Sequence, residues 1–354
     1  MTTTSDSIVT ISPASVITDE AERIIWLLFN LVILLTTILG DIAVLIGTIK
    51  YNAIQQHSVI VAVIQHLAVL DIGAALFVVL PSIQVLITDS WDLGKFLCHV
   101  NAHISELGAM ITPAFICLMS TLKLVILLRP LRTVAWSLNF GQKICAVVWI
   151  LALNLYAPRF VYSMVYVRNT TYFDFFSYIC FYDYEKVASN TEVKLYLVGV
   201  IVAFIALNAG LIGTSIALLV VAKRTAARFS ETLRWDGVTA VLLTVLVYLL
   251  STLPSLVVTV ADLQHLSLGI PVVRASYQFL RVGVMANFLI YCLTLRSFRG
   301  FLKSKLSGLP RFFSARRTLT KSAIRPRLAP NMKGQEPAST EDMSITEDES
   351  TSSE

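Results

Sequence analysis

Charge is scarce in this chain. Asp, Glu, Lys and Arg make up 14% of its 354 residues, against 56% hydrophobic residues, where a soluble domain carries nearer 25% charged ones. With a mean hydropathy of +0.72, that scarcity excludes an ordinary water-soluble enzyme and points to a polytopic membrane protein. Histidine is scarce too: of His57, His66, His99, His103 and His265, only His66 lies well inside an apolar run. No ligand cluster for an intramembrane zinc hydrolase forms, no enzymatic activity is expected, and no nucleic-acid partner. The strict alternation of barrel strands is missing, as is the internal repeat common in transporters.

What is present is a series of long apolar runs, at residues 24–49, 59–87, 103–128, 144–162, 195–222, 238–260 and 272–293. Each is near or above the roughly 20 residues that cross a bilayer as a helix. Helices follow because lipid offers the backbone no hydrogen-bond partners. The expected fold class is an all-α membrane protein, a seven-transmembrane helix bundle.

Loops after even-numbered runs carry Lys95, Arg159, Arg168, Lys186, Lys194 and Arg274. Loops after odd-numbered runs carry Lys50, Arg129, Arg132, Lys143, Lys223, Arg224, Arg228 and Arg234, and Arg296, Arg299, Lys303 and Lys305 follow the last run. The positive-inside rule therefore places the N-terminus outside and the C-terminus in the cytoplasm. Asn169-Thr170-Thr171 is an N-glycosylation acceptor, and this topology puts Asn169 outside. Residues 1–22 are polar and lack the charged start and apolar centre of a signal peptide, so the first run is expected to act as an uncleaved signal anchor. A segment that short is not expected to form a folded ligand-binding ectodomain.

Five cysteines divide by compartment. Cys117, Cys145 and Cys292 lie within runs, whereas Cys98 and Cys180 are the two outside them, where oxidation is permitted. Those two are expected to pair, tethering the loop 159–193 to the top of the third helix.

Two acids interrupt the first two runs, Asp41 and Asp71. An aspartate at mid-bilayer costs on the order of 2.5–3.5 kcal/mol on insertion scales, and acids retained there face a protein interior or water. Helix rise puts them roughly 15 Å and 20 Å from the inner ends of their runs. Two carboxylates so close in depth resist double ionisation and are expected to share a proton or hold a cation.

After the seventh run, residues 297–306 place Phe298, Phe301 and Leu302 on one face and Arg299, Lys303 and Lys305 around the other. That pattern is an amphipathic helix suited to the inner membrane surface. Residues 307–333 contain no acid and read as an anionic-lipid contact or a solvated linker. Residues 336–354 are disordered by composition. Their hydroxyls, at Ser339, Thr340, Ser344, Thr346, Ser350, Thr351, Ser352 and Ser353, sit among acids. Phosphorylation there creates a ligand for a basic partner. The expected organisation is an outer tail at 1–22, a membrane domain at 23–306 and a cytoplasmic tail at 307–354.

Local patterns resemble rhodopsin-like (class A) G-protein-coupled receptors over roughly residues 24–306. His66-Leu67-Ala68-Val69-Leu70-Asp71 is similar to the family's Asn-Leu-Ala-x-x-Asp, and Trp91-x-x-Gly94-x-x-x-Cys98 to its first-loop motif. Trp149 and Pro158 stand in the fourth run, Ser251-Thr252-Leu253-Pro254 in the sixth, and Asn287-Phe288-Leu289-Ile290-Tyr291 closes the seventh before Phe298-Arg299. The resemblance implies a sodium and water pocket at Asp71, Thr112 and Asn287, and Asp41 adds an acid where the family has an amide. It implies an extracellular ligand, a heterotrimeric G protein, and arrestin and receptor kinases acting through the tail, with membrane lipids around the bundle. A sodium ion is the one cofactor it suggests.

Several positions depart from the family. Leu122-Lys123-Leu124 stands where the family has Asp/Glu-Arg-Tyr, so Leu122 cannot pin a cation and Lys123 lacks the planar fork of arginine. Phe288 replaces the seventh-helix proline and with it a kink. Thr252 replaces the aromatic two residues before Pro254, and the fifth run has no proline. The implied ligand site offers Ser105, Glu106, Arg281 and Thr252, with Arg274 nearby. Ser105 stands where amine receptors hold an aspartate. Arg281 takes the place of the opsins' retinal lysine, which excludes a Schiff base. Glu106 and Arg281 are expected either to pair or to leave Arg281 for an acidic ligand. Lys123, Leu122, Leu124, Tyr291 and Pro254 are the implied activation and G-protein residues. Three readings follow: a G-protein-coupled receptor, a scavenger or arrestin-biased receptor without G-protein signalling, and a proton or cation pathway.

Overall fold

The computed structural model describes residues 20–51, 54, 58–133, 136–165, 171–174, 178–182, 191–228, 235–263 and 268–314. Asn169 and the tail hydroxyls from Ser339 to Ser353 lie outside them, as do residues 1–19 of the N-terminal segment. The chain divides into two units, Met1–Ser304 and Lys305–Glu354. Of the second, the described part is the helical stretch 305–314.

Seven long helices carry the apolar runs: α1 (Glu20–Tyr51), α2 (Ser58–Thr88), α3 (Gly94–Leu128), α4 (Leu138–Val165), α5 (Thr191–Arg228), α6 (Trp235–Leu263) and α7 (Ile270–Thr294). A two-stranded antiparallel hairpin, β1 (Thr171–Asp174) and β2 (Ile179–Tyr182), lies between α4 and α5. Each helix overruns its apolar run, most visibly α3, which begins at Gly94 rather than His103. Backbone hydrogen bonding continues into polar residues where hydropathy no longer marks the chain.

The helices close a ring. α1 packs on α2 and α7; α2 on α3 and α4; α3 on α4, α5 and α6; α6 on α5 and α7. α3 thus runs through the middle and also meets both strands. Polarity is inverted relative to a soluble bundle. Asn30, Asp41, Asp71, Ser82, Asn101, Ser120, Gln278 and Asn287 are buried, while Leu28, Ile42, Val198, Ile201, Ile205, Leu250 and Val257 face outward. That distribution suits hydrocarbon outside and a satisfied polar interior.

Close approach of helices rests on two glycines. A Cβ at Gly141 of α4 would lie 2.8 Å from the Ala62 Cβ and 3.0 Å from the Val59 Cα of α2. A Cβ at Gly40 of α1 would lie 2.4 Å from the Phe288 ring of α7. Phe288 therefore fills a recess that only glycine leaves open. With no proline there, α7 runs without a break from Ile270 to Thr294.

In α2, Pro81 has no N–H for the carbonyl of Phe77, and its ring crowds that carbonyl in an α-helix. The helix responds with a π turn over Ala75–Val79, immediately before Leu80–Thr88. The freed Phe77 carbonyl accepts instead from the Asn101 amide of α3, at 2.7 Å.

After α7 the chain bends by 95° into α8 (Arg296–Ser314). This helix is longer than the 297–306 read from the sequence, and part of its apolar face packs on the bundle. Phe298 is 0% exposed, 6.3 Å from Phe288 and 6.0 Å from Phe301 between ring centroids, and Phe301 meets Tyr51 at 5.3 Å. Phe301 and Leu302 pack partly buried on the bundle core. Arg299, Lys303 and Lys305 are exposed.

Candidate functional site

At one end of the bundle the hairpin is stapled down. Cys98, at the start of α3, forms a disulfide with Cys180 of β2, their Cα atoms 5.4 Å apart. Compartment reasoning identified this pair. Beside it, the Cys180 N–H donates to the Asn101 side-chain oxygen at 2.9 Å. Asn101 thus uses its amide on α2 and its carbonyl on the hairpin, so the Pro81 irregularity and the hairpin position are linked through one side chain.

Tyr178 is the hairpin's inserted residue. It is 0% exposed and adopts a left-handed backbone with φ 56°. Its ring joins Val85, Leu86, Trp26 and Trp91, and its carbonyl accepts from the Ser82 hydroxyl at 2.7 Å. The Arg274 guanidinium stacks 5.4 Å from the ring centroid. Burial pushes the Tyr178 phenol above the ordinary tyrosine range, the Arg274 charge opposing the shift.

Beneath Tyr178 lies Arg281, 3% exposed. It donates to the Asn30 oxygen at 2.6 Å, to the Gln278 oxygen at 3.1 Å and to the Tyr178 carbonyl at 3.3 Å. Asn30 in turn donates to the same Gln278 oxygen, at 2.9 Å. These three partners are neutral dipoles drawn from α1, α7 and the hairpin. Arg274 pairs with Glu22 at 2.5 Å, and Trp26 donates to the same carboxylate at 3.1 Å. Arg23 pairs with Asp89.

The other implied ligand residues stand on α3 and α6. Ser105 and Glu106 are half-buried on α3, about two turns beyond Cys98. Thr252 donates to the carbonyl of Tyr248, in its own helix, at 2.9 Å.

Midway along the bundle sits the acid cluster. The Asn287 amide donates to Asp71 at 2.7 Å, as the resemblance implies. Thr112 of α3 is half-buried, and no hydrogen bond among the described residues joins it to Asp71 or Asn287. Asp41 is 0% exposed, and neither carboxylate oxygen has a hydrogen-bond partner. The hydroxyls of Thr37 and Tyr291 are buried without partners as well. The two carboxylates act on one another electrostatically, and both act on the Tyr291 phenol.

Toward the α8 end a chain of side chains crosses three helices. The Trp149 indole donates to His66 Nδ1 at 3.1 Å, so in this tautomer Nε2 carries the hydrogen and donates to the Gln142 oxygen at 2.6 Å. Gln142 donates to Gln65 at 2.9 Å, Gln65 to Thr48 at 3.2 Å and Thr48 to the Val44 carbonyl at 2.9 Å. Leu122 and Lys123 are buried on α3, the latter 8% exposed, and Leu124 is partly buried against the core. Pro254 lies inside α6. No group of three or more His, Cys, Asp or Glu side chains forms a metal cluster among the described residues.

Sequence reading missed Asn30, Gln278, Asn101, Thr37, Gln65 and Gln142. Each was visible as a polar residue inside or beside an apolar run, and Gln278 precedes Arg281 by one helical turn. The partner of each depends on which helices adjoin, which hydropathy does not report.

Comparison with known proteins agrees with this architecture. Residues 40–292 match the family described as 7 transmembrane receptor (rhodopsin family). The annetocin receptor of Eisenia fetida is 26% identical over 145 residues, 40% of this chain and 34% of the relative. The isotocin receptor of Catostomus commersonii is 27% identical over 143 residues, 40% of this chain and 35% of the relative. The gonadotropin-releasing hormone receptor of Trichosurus vulpecula is 32% identical over 85 residues, 23% of this chain and 25% of the relative. The chain thus spans about a third or less of the length of the curated relatives it matches. The family match covers well over half of the chain, its seven helices and stapled hairpin fit that match, and this chain belongs to the rhodopsin family of seven-transmembrane receptors.

Proposed function

We propose that this receptor stands in the plasma membrane with its N-terminus outside, binds a peptide hormone at the hairpin end and signals to a heterotrimeric G protein. The observation that carries the reading is the hairpin end itself. A disulfide-stapled hairpin covers a buried cation, Arg281, whose partners Asn30, Gln278 and the Tyr178 carbonyl come from three separate chain segments. A ligand that displaces the Tyr178 carbonyl changes the helix-to-helix bonds of α1 and α7 together, which gives it differential affinity for two arrangements. The similarity to receptors named for annetocin, isotocin and gonadotropin-releasing hormone supports a peptide as the ligand class. Ser105, Glu106, Arg281 and Thr252 are the proposed contacts. At the opposite end, Lys123 is the proposed G-protein contact, with Leu122, Leu124, Tyr291 and Pro254 around the moving helices.

The test is a peptide-library screen on cells expressing the full chain, read through Gs, Gi and Gq reporters and through arrestin recruitment. A peptide that raises a second messenger in wild type and not in Lys123→Ala, with equal surface expression, supports the reading. An undiminished response in Lys123→Ala removes that role from Lys123.

A second reading keeps the ligand but drops the G protein, with phosphorylated tail hydroxyls recruiting arrestin after receptor kinases act. It is favoured by Leu122, which offers no acid to pin Lys123 in a resting state. Arrestin recruitment with all three G-protein reporters silent selects it.

A further inference from the structure

The outward faces of the membrane helices are almost wholly apolar among the described residues. The exposed residues of α1 over 24–49 and of α5 over 198–222 include no polar side chain. Asn154 of α4 departs from this, being exposed inside the apolar run 144–162. Helix rise places it about 15 Å from the inner end of that run and about 12 Å from the outer end. That is the middle of the hydrocarbon, where no water meets an amide. One amide hydrogen goes to the Ile150 carbonyl of its own helix, at 2.7 Å. The second hydrogen and the side-chain oxygen have no partner among the described residues. Pro158, one turn later and also exposed, has no N–H to give the Asn154 backbone carbonyl. Unused donors and acceptors thus collect at one level of a surface that faces lipid.

The amide also stands in a repeat. Val147, Ile150, Asn154, Ala157 and Val161 are all exposed, and they follow one another in steps of three, four, three and four. That is the a/d seam of a heptad, with asparagine at its central a position, where a single amide fixes register and oligomer state. In lipid, amides hydrogen-bond across helices, and small residues such as Ala157 let the backbones come close.

Chemistry and depth together select the occupant. An amide donates and accepts, so it is complementary to another amide. Two copies of one chain enter a membrane in the same orientation, and their α4 faces meet in parallel about a two-fold axis along the membrane normal. Each residue of the seam then finds its own counterpart at equal depth, and Asn154 meets Asn154 without adjustment. An unrelated helix would have to carry a polar group at that one level. Lys143, one heptad before Ile150, is exposed just inside the inner end of the run, where its long stem carries the charge into water.

We propose that this receptor pairs with a second copy of itself through the lipid-facing seam of α4, the two Asn154 amides hydrogen-bonding to each other across the two-fold axis. The pairing rests on the helices and their shared orientation, not on the identity of any ligand or transducer.

The experiment uses the full chain, labelled at its C-terminus with a donor or an acceptor fluorophore and reconstituted into phosphatidylcholine vesicles over a range of protein-to-lipid ratios. In wild type, energy transfer is expected to saturate as density rises, with two labels per assembly by stepwise bleaching. Asn154→Leu is expected to raise the half-association density about three- to thirtyfold, the worth of an interhelical polar contact in lipid. Its melting temperature is expected to stay near wild type, because the only bond lost within the chain is to its own helix. In a second arm, Val161→Cys is expected to cross-link between copies under oxidation, whereas wild type and Ile205→Cys, exposed on α5, are not. A wild type that stays monomeric at every density overturns the proposal, and so does an Asn154→Leu protein with wild-type association. Association without the Val161→Cys cross-link puts the contact on another face and also overturns it. If Asn154→Leu does not fold, the cross-linking comparison decides alone. No outcome depends on an agonist or a G protein, so failure here is distinct from failure of the proposed signalling.

Discussion

Replacing Asn101 with alanine removes a single side chain that serves two backbone groups on different elements. The Phe77 carbonyl, orphaned by Pro81, loses its donor at 2.7 Å, and the Cys180 N–H loses its acceptor at 2.9 Å. Asn101 is 1% exposed, so little water is at hand to replace it. Each buried group left unsatisfied costs about 1–3 kcal/mol, which puts the loss of two at about 2–6 kcal/mol. In thermal unfolding of the purified receptor this corresponds to a fall of roughly 4–24 °C, using about 2–4 °C per kcal/mol. The causal role of Pro81 is testable in the same assay through a double-mutant cycle. Pro81→Ala supplies an N–H one turn after Phe77, so the carbonyl regains a partner inside its own helix. Asn101→Ala is then expected to cost about 1–2 kcal/mol less in the Pro81→Ala background than alone. Strict additivity, or an Asn101→Ala protein that melts with wild type, refutes the chain of cause from proline to π turn to hairpin.

Two other perturbations follow from the packing. Gly40→Ala places a methyl 2.4 Å from the Phe288 ring, and overpacking of this kind costs about 1–3 kcal/mol; in a Phe288→Ala background the same substitution is expected to cost little further melting temperature, and an undiminished cost there denies the contact. Gln142→Leu leaves the His66 Nε2–H and the Gln65 oxygen without their partners at 2.6 and 2.9 Å. A fall of about 1–3 kcal/mol in stability is expected, and an unchanged melting curve removes the relay from any structural role.

Much of the architecture is legible from the chain alone because membrane helices obey a one-dimensional rule. Lipid leaves the backbone no option but to bond within each segment, so every apolar run becomes a helix whatever surrounds it. Cys98 and Cys180 were identifiable on similar grounds, as the cysteines outside the runs. The family resemblance placed Asp71 and Asn287 in one ion and water pocket, and a direct hydrogen bond joins the two side chains. Less legible was α8: its pattern of Phe298, Phe301 and Leu302 is amphipathic, but amphipathicity does not say whether lipid or protein covers the apolar face. The recess over Gly40 that lets Phe288 and Phe298 pack belongs to another helix.

Partnership is where sequence reading stopped. Arg281 was legible as a charge that either pairs with Glu106 or awaits an acidic ligand. Its bonds to Asn30, Gln278 and a backbone carbonyl of the hairpin were not legible. Asn30 lies 251 positions away, and no local pattern carries that pairing. The sequence by itself determined the number of spans, their approximate limits and the presence of two acids that hydrocarbon would not tolerate. Only the tertiary structure decided that the Asp41 oxygens are buried without a hydrogen-bond partner and which dipoles meet Arg281. The physical reason is that helix formation is settled by hydrogen bonds between residues four apart, whereas satisfaction of a buried charge depends on neighbours brought in by the closing of the ring.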